Sequence, residues 1–220
     1  AHAQRGDCVQ QLARDLSVQI AAILLVQARA SLLLPGGSSP QQLLPLLAAE
    51  PLEWARVDVS PTDERWVAAD AEQSNWRLLQ QGLPAAACLD PRQADSAQAS
   101  ASLWADQLQA CMPFAAVLLG MGEDGHIASL FPGMPGLAPA LDLQAAPGAL
   151  CAQAPSEPRQ RLSLNLPMLL QTQWLGLLAF GQSKKQLIDA VLADTPQSRV
   201  LPFHALLTAG RLPLRIYWAP

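Results

Sequence analysis

Ser31-Leu32-Leu33-Leu34-Pro35-Gly36-Gly37-Ser38-Ser39-Pro40 is the stretch on which the fold turns. Its three consecutive leucines read as a short strand buried on both faces. Pro35-Gly36-Gly37 then breaks that strand, and Pro40 sits where a proline can open a helix. The same succession of strand, turn and helix recurs. Ala55 to Ser60 is strand-like and leads to a helical stretch from Asp70 to Gln81, a further helix spans Asp95 to Ala110, and Phe114 to Leu119 is an apolar strand running into Gly120-Met121-Gly122. Trp174 to Phe180, Ser183 to Leu192 and Leu212 to Trp218 continue as strand, helix and strand. At the start of the chain Val9, Leu12, Leu16, Ile20 and Leu24 step by three and four along one face of a first helix, from Asp7 as N-cap to about Arg29. Strands that alternate with helices and are apolar throughout predict an α/β fold, a parallel sheet sandwiched by helices. Proline and glycine are dense between Pro132 and Pro158, which predicts a small irregular excursion within a single domain over 1–220.

Charge is scarce in the 220 residues: 14 Lys+Arg and 18 Asp+Glu make 15% of the chain, where about 25% is usual. The only two lysines are neighbours, Lys184 and Lys185. A net charge of −4 without a basic run argues against nucleic acid as a partner. The high apolar content and low net charge exclude the disordered class. Cys8, Cys88, Cys111 and Cys151 lie tens of residues apart with no C-x-x-C pair, so neither a zinc ligand set nor a redox motif is spelled out, and reduced thiols are expected. The most apolar early stretch, Ile20 to Val26, is flanked by Gln19, Gln27 and Arg29 and falls short of the roughly 20 residues of a membrane span. The opening Ala1 to Asp7 lacks the basic start and apolar core of a signal peptide, so a cytoplasmic protein without a membrane partner is expected.

In a parallel sheet, ligands bind outside the carboxyl ends of the strands. Gly36-Gly37-Ser38-Ser39-Pro40 offers backbone N–H groups and two hydroxyls at a helix start, a way to cradle a phosphate with little formal charge. Gly120-Met121-Gly122-Glu123-Asp124-Gly125-His126 contains a formal G-x-G-x-x-G, but Pro132, Gly133, Pro135, Gly136 and Pro139 leave no room for the long helix that a dinucleotide fingerprint requires. Its glycines instead permit close approach of the backbone to a small ligand, with a short helical turn beginning near His126. The partial positive charge of that helix start would keep the imidazole neutral, while Asp124 would oppose that shift if it contacts the ring, or orient the ring if it bonds the other nitrogen. Asp63-Glu64-Arg65, with Ser74-Asn75 following, Arg159 and Arg161, and Gly181-Gln182-Ser183-Lys184-Lys185 are the remaining polar clusters at strand ends. His2 and His204 have no such neighbours and are expected to be structural or exposed.

Taken together, Gly36-Gly37-Ser38-Ser39-Pro40, Asp63-Glu64-Arg65-Trp66-Val67, Ser74-Asn75, the run GMGEDGHIASLFPG from Gly120 to Gly133, Arg161-Leu162-Ser163 and Gly181-x-x-Lys184 resemble the 6-phosphogluconolactonase family, in the same order. The resemblance implies a Rossmann-like fold of the type shared by glucosamine-6-phosphate deaminase and ribose-5-phosphate isomerase. It also implies hydrolysis of a sugar-phosphate lactone without metal or organic cofactor. Carried over by position, His126 matches the general base with Asp124 beside it, and Ser38, Ser39, Arg65 and Lys184 match the positions that hold the 6-phosphate. Arg161 is a further phosphate candidate, and Lys185 an alternative to Lys184. Gly36 and Gly37, or Gly122 and Gly125, are the backbone candidates for stabilising an oxyanion, while Asp63, Glu64 and Asn75 support Arg65 and its turn. Two positions depart from the family pattern: Ile127 stands where Thr is usual, and Ala68 where Pro is usual.

Two other functions share parts of this pattern. Deaminases and isomerases of the same fold also read DGHI, but continue toward Asn-Glu-Pro-Gly and tend to carry Asp-Glu-Tyr, whereas this chain has Ser129-Leu130-Phe131-Pro132-Gly133 and Arg65. A non-catalytic sugar-phosphate sensor would carry an additional partner-binding segment. The lactonase reading predicts a small-molecule substrate and a monomer or weak homodimer.

Overall fold

The computed structural model describes residues 2–220. In chain order the elements are α1 (Arg5–Val26), β1 (Ala30–Leu34), α2 (Ser38–Ala48), β2 (Val57–Pro61), β3 (Asp63–Arg65), α3 (Asn75–Gly82), β4 (Ala87–Cys88), α4 (Ala97–Gln109) and β5 (Ala116–Gly120). They are followed by α5 (Leu137–Leu141), β6 (Ala149–Gln153), β7 (Gln160–Leu164), α6 (Leu166–Leu169), β8 (Leu175–Phe180), α7 (Gln182–Leu192), α8 (Pro202–Thr208) and β9 (Leu214–Ala219). Six strands form one parallel sheet in the order β4-β2-β1-β5-β8-β9. From β1 the chain first builds outward through β2 to β4, then returns to β5 on the other side of β1 and builds outward again. The carboxyl ends of β1 and β5 therefore flank the point where strand order reverses, the place at which such a sheet opens a crevice.

The sheet separates two apolar cores. Leu32 and Leu34 of β1 and Leu118 of β5 face the core made with α1, α2 and α3, while Leu33, Val117 and Leu119 face the core made with α4, α6, α7 and α8. Alternation with a period of two, both faces apolar, is why these strands read as unbroken runs of leucine and valine. The first helix begins at Arg5 and ends at Val26, so Asp7 lies in its first turn and is not the N-cap, which is Gln4. By length and composition α1 would suffice to cross a membrane. One face of it, from Cys8 and Leu12 to Ile20 and Leu24, is nevertheless packed into the core.

Several expected elements shift. The strand expected at Ala55 starts only at Val57, after a 3-10 turn over Trp54–Arg56. The helix expected from Asp70 starts at Asn75, because Ser74 caps it by accepting from the Arg77 N–H. The stretch from 132 to 158 is not wholly irregular. It contains α5 and then β6, which pairs antiparallel with β7, and β7 in turn pairs with β3. This three-stranded antiparallel sheet packs α4 beneath it and forms one wall of the crevice.

Candidate active site

The crevice is a cleft of about 310 Å³. Its floor comes from the parallel sheet, since β1 ends in Pro35-Gly36-Gly37 and β5 in Gly120-Met121-Gly122. Gly37 takes φ +94° at the start of α2 and Gly181 φ +93° at the start of α7, a region in which an L side chain is strained. Neither helix start has a side-chain cap, so the first N–H groups of both are left for other acceptors. Ser38 and Ser39 stand in the first turn of α2 and Lys184 in the first turn of α7, all lining the cleft. Lys185, by contrast, binds Asp189 at 2.5 Å and lies over the Trp218 ring. Burial holds the Lys184 ammonium below the usual lysine range and Arg5 adds to that lowering, while Glu123 opposes it.

Across from Lys184, the antiparallel sheet contributes a pair of cations. Arg65 on β3 is directly opposite Arg161 on β7. Like charges facing each other across a strand pair destabilise it unless something neutralises them. Arg65 donates through Nη1 to the Gln73 carbonyl at 2.7 Å, and Arg161 through Nε to the Pro158 carbonyl at 2.8 Å. The Arg65 Nε is buried with no acceptor among the described residues. Burial lowers the Arg161 guanidinium below its ordinary value and the Arg65 charge lowers it further, with Asp63 and Glu64 pulling the other way. An anion between the two arginines would relieve this stress.

His126 comes from a tight loop, not from a helix. The Gly125 N–H donates to the Gly122 carbonyl and the Gly122 N–H to the His126 carbonyl, with Gly125 at φ +79° and Ala128 at φ +46°. Those left-handed residues and the ladder contacts of Ile127 with Met121 and Leu130 rule out the expected helical turn. The helix-start field proposed for the imidazole is therefore absent. The Asp124 contact is present: His126 Nδ1 lies 2.6 Å from Asp124 Oδ1. An ionised carboxylate only accepts, so Nδ1 carries the hydrogen and Nε2 is left as the acceptor of the neutral ring. Gly122 makes the packing feasible, because a Cβ there would come within 2.2 Å of the His126 ring and 2.5 Å of Asp124 Oδ1. The ring also rests against Phe131 at 4.5 Å.

Of the sequence-derived candidates, Gly36, Gly37, Ser38, Ser39, Asp63, Arg65, Asn75, Gly122, His126, Arg161 and Lys184 all line the one cleft. Asp124 touches it through His126, whereas Gly125 faces Leu201 and Glu64 is fully buried behind the wall. Arg159 pairs with Glu157 on the surface and does not line the cleft. Asn75 fills the space that the bare Gly36 leaves, since a Cβ on Gly36 would fall 1.8 Å from the Asn75 amide oxygen, and its Nδ2 donates to the Asp63 carbonyl at 2.7 Å. Sequence reasoning passed over Ser129, which is buried and donates to Asp63 Oδ2 at 2.6 Å, although it stands inside the quoted run three residues after His126. It also passed over Arg92, for which only a lone arginine in a loop was on offer.

A doubly built parallel sheet whose reversal point carries a His–Asp pair, two uncapped helix starts and three convergent cations defines an α/β protein for small phosphorylated ligands. Comparison with known sequences narrows this. The family described as glucosamine-6-phosphate isomerases/6-phosphogluconolactonase matches residues 3–215, and the chain belongs to it. The 6-phosphogluconolactonase of Pseudomonas putida is 39% identical over 216 residues, covering 95% of this chain and 87% of that protein. That of Rhizobium meliloti is 32% identical, covering 96% and 94%. Among solved structures, a 6-phosphogluconolactonase from Shewanella baltica superposes with a TM-score of 0.90 at 30% identity, covering 100% of this chain and 96% of that one. A monomeric glucosamine-6-phosphate deaminase has a TM-score of 0.79 at 18% identity, covering 99% and 95%, and at that identity it attests the fold alone.

Proposed function

We propose that the protein hydrolyses 6-phospho-D-glucono-1,5-lactone to 6-phosphogluconate, the lactonase step of the oxidative pentose phosphate pathway. The observation that carries this reading is the meeting, in one cleft, of a histidine with a free Nε2 and the cations Arg65, Arg161 and Lys184. Family membership and the named relatives support the same substrate.

A δ-lactone is an activated ester, so no covalent nucleophile is required. His126 Nε2 takes a proton from water as the water oxygen bonds to the lactone C1, and negative charge collects on the carbonyl oxygen. The C1–ring oxygen bond then breaks, the imidazolium returns its proton to the departing ring oxygen, and the product carboxylic acid loses its own proton to solvent. Asp124 holds the ring in the tautomer that can accept and stabilises the transient imidazolium. The oxyanion needs donors at a glycine turn, and Gly36-Gly37 is the better placed, because the Gly122 N–H is already given to the His126 carbonyl.

Phosphate recognition falls to the cations, the Ser38 and Ser39 hydroxyls and the open N–H groups of α2. One cation about 4 Å from one negative charge is worth about 4 kcal/mol at an effective dielectric of 20, before desolvation. Asp63, held by Ser129, is suited to accept from a sugar hydroxyl. The scheme calls for no group from a second subunit, and the working unit proposed is a monomer or weak homodimer. The four free cysteines suit a reducing, cytoplasmic setting.

The test is acid release on adding 6-phosphogluconolactone, compared with gluconolactone and with ammonia release from glucosamine 6-phosphate. Turnover well above spontaneous hydrolysis with preference for the phosphorylated lactone is expected. Ammonia release without lactone turnover would replace this function by a deaminase.

A further inference from the structure

Behind the wall of the cleft lies a charged cluster that no step of the proposed reaction uses. Glu64 is 0% exposed and its two oxygens are crowded with donors. Oε1 accepts from the backbone N–H groups of Arg65 at 2.7 Å and Asn75 at 2.8 Å. Oε2 accepts from the Trp76 N–H at 2.7 Å and the Ser74 hydroxyl at 3.1 Å. Among the described residues one cation forms an ion pair with this carboxylate. It is Arg92, in the irregular segment between β4 and α4, its Nη1 lying 3.0 Å from Glu64 Oε2 off hydrogen-bond geometry, with its side chain 11% exposed. Its Nη2 lies 3.0 Å from Asp90 Oδ1 and 3.1 Å from the Ser74 hydroxyl, and its guanidinium sits over the Trp76 ring.

The residues that this pair grips are the ones on which the anion side of the cleft depends. Arg65 is tied to the cluster twice, through its backbone N–H on Glu64 and through its guanidinium on the carbonyl of Gln73, immediately before Ser74. Asn75 is tied once, through its N–H, and in turn fixes the Asp63 carbonyl and the face of Gly36. We infer that Arg92 is a positioning residue for phosphate recognition: by closing the buried Glu64 cluster it sets Arg65 and Asn75 against the cleft without touching substrate itself. A planar cation suits this role, because one guanidinium sets Nη1 against Glu64 and Nη2 against Asp90 and Ser74 in a fixed geometry that a lysine ammonium on a flexible stem does not provide. His126 and Asp124 come from a separate loop with no hydrogen bond to the cluster among those described, so the larger effect should fall on phosphate binding through Arg65, with a smaller one, through Asn75 on Asp63 and Gly36, shared by both lactones.

This inference rests on the lactonase reading, and the experiment separates the two. Arg92→Met and Arg92→Lys are assayed against 6-phosphogluconolactone and gluconolactone beside the wild type, with near-ultraviolet circular dichroism to verify folding. Arg92→Met should raise KM for the phosphorylated lactone at least tenfold, change kcat less than threefold, and lower kcat/KM for gluconolactone no more than threefold. Arg92→Lys should recover part of the loss. Because Arg92→Met strands a buried carboxylate, the double variant Glu64→Gln/Arg92→Met removes both charges and is read by the same ratio if the single variant does not fold. A folded variant that keeps the wild-type KM, or a loss shared equally by the two lactones, overturns the positioning role. A wild type that does not prefer the phosphorylated lactone overturns the lactonase reading itself.

Discussion

The molecule contains two histidine–aspartate pairs, and they are worth setting side by side. In one, His126 Nδ1 meets Asp124 at 2.6 Å; in the other, His204 Nε2 meets Asp194 at 2.8 Å. Judged by the pair alone they are equivalent, and His204 is the more buried, its side chain 14% exposed against 30%. What differs is the company. Asp194 is also held by Arg199 through both its oxygens, so its charge is already committed to a surface ion pair at the end of α7. Asp124 serves only the ring and backbone N–H of His126, and that ring opens into a cleft with three cations that lack carboxylate ion pairs. A histidine becomes a base through what its second nitrogen faces, not through having an aspartate.

The sharpest way to break this comparison is to remove each ring in turn. His126→Ala should lower kcat for 6-phosphogluconolactone by about 10² to 10⁴-fold, the usual worth of a positioned base, whereas His204→Ala should stay within about twofold. Similar losses in the two variants would mean that the difference in surroundings carries no chemistry. Next in size is Gly122→Ala. The added Cβ would collide with the His126 ring, and a displacement of about 1 Å is enough to cost about 10²-fold in kcat. Normal kcat in that variant would show that the tight loop is not what holds the ring.

The cations that distinguish the His126 site should read out in KM. Lys184→Ala removes a charge-assisted contact of about 2 kcal/mol, which corresponds to about a thirtyfold rise in KM for the phosphorylated lactone. Gluconolactone should be indifferent. A protonic signature follows from the depressed Lys184. In the empty cleft burial lowers its pKa, while a bound phosphate favours the charged form and raises it again. Binding of 6-phosphogluconate must then take up protons at pH values between the two, most strongly midway between them. Calorimetry in buffers of different ionisation enthalpy would measure this, and Lys184→Met should abolish it.

These sites were unequally legible. The β1 and β5 corners could be read because three consecutive leucines and an apolar run each end in glycines, and both hydrophobic faces and turn chemistry are local properties. The antiparallel sheet was hidden. β3 is three charged residues, β6 reads Ala-Leu-Cys-Ala-Gln without alternation, and the pairing that puts Arg65 opposite Arg161 joins residues almost a hundred positions apart. Arg92 was illegible for the same reason: it stands apart from the other polar clusters, its partner Glu64 lies 28 positions earlier, and burial is a property of the fold. The helical turn at His126 failed because Gly125 and Ala128 adopt left-handed conformations that spacing does not announce.

The smallest effect tests the outer pair. Hydrogen bonds from Arg199 and then His204 hold the Asp194 carboxyl at about 2, below its usual value of 3.8. A depressed carboxylate contributes stability above its unfolded-state pKa and loses it as pH falls through the folded value, so the window here runs from about 4 down to 2. Asp194→Asn is a clean probe, since the position takes φ +50° and asparagine tolerates that conformation well. The variant should melt slightly below wild type at pH 7, and the gap should close as pH falls through that window. Lactone turnover at neutral pH should not change. If it did, the segment from Asp194 to His204 would be acting on the catalytic loop through its links to Gly125, the packing of Leu201 against it and the hydrogen bond from the Phe203 N–H to its carbonyl at 3.1 Å, and the two pairs would be coupled rather than contrasting.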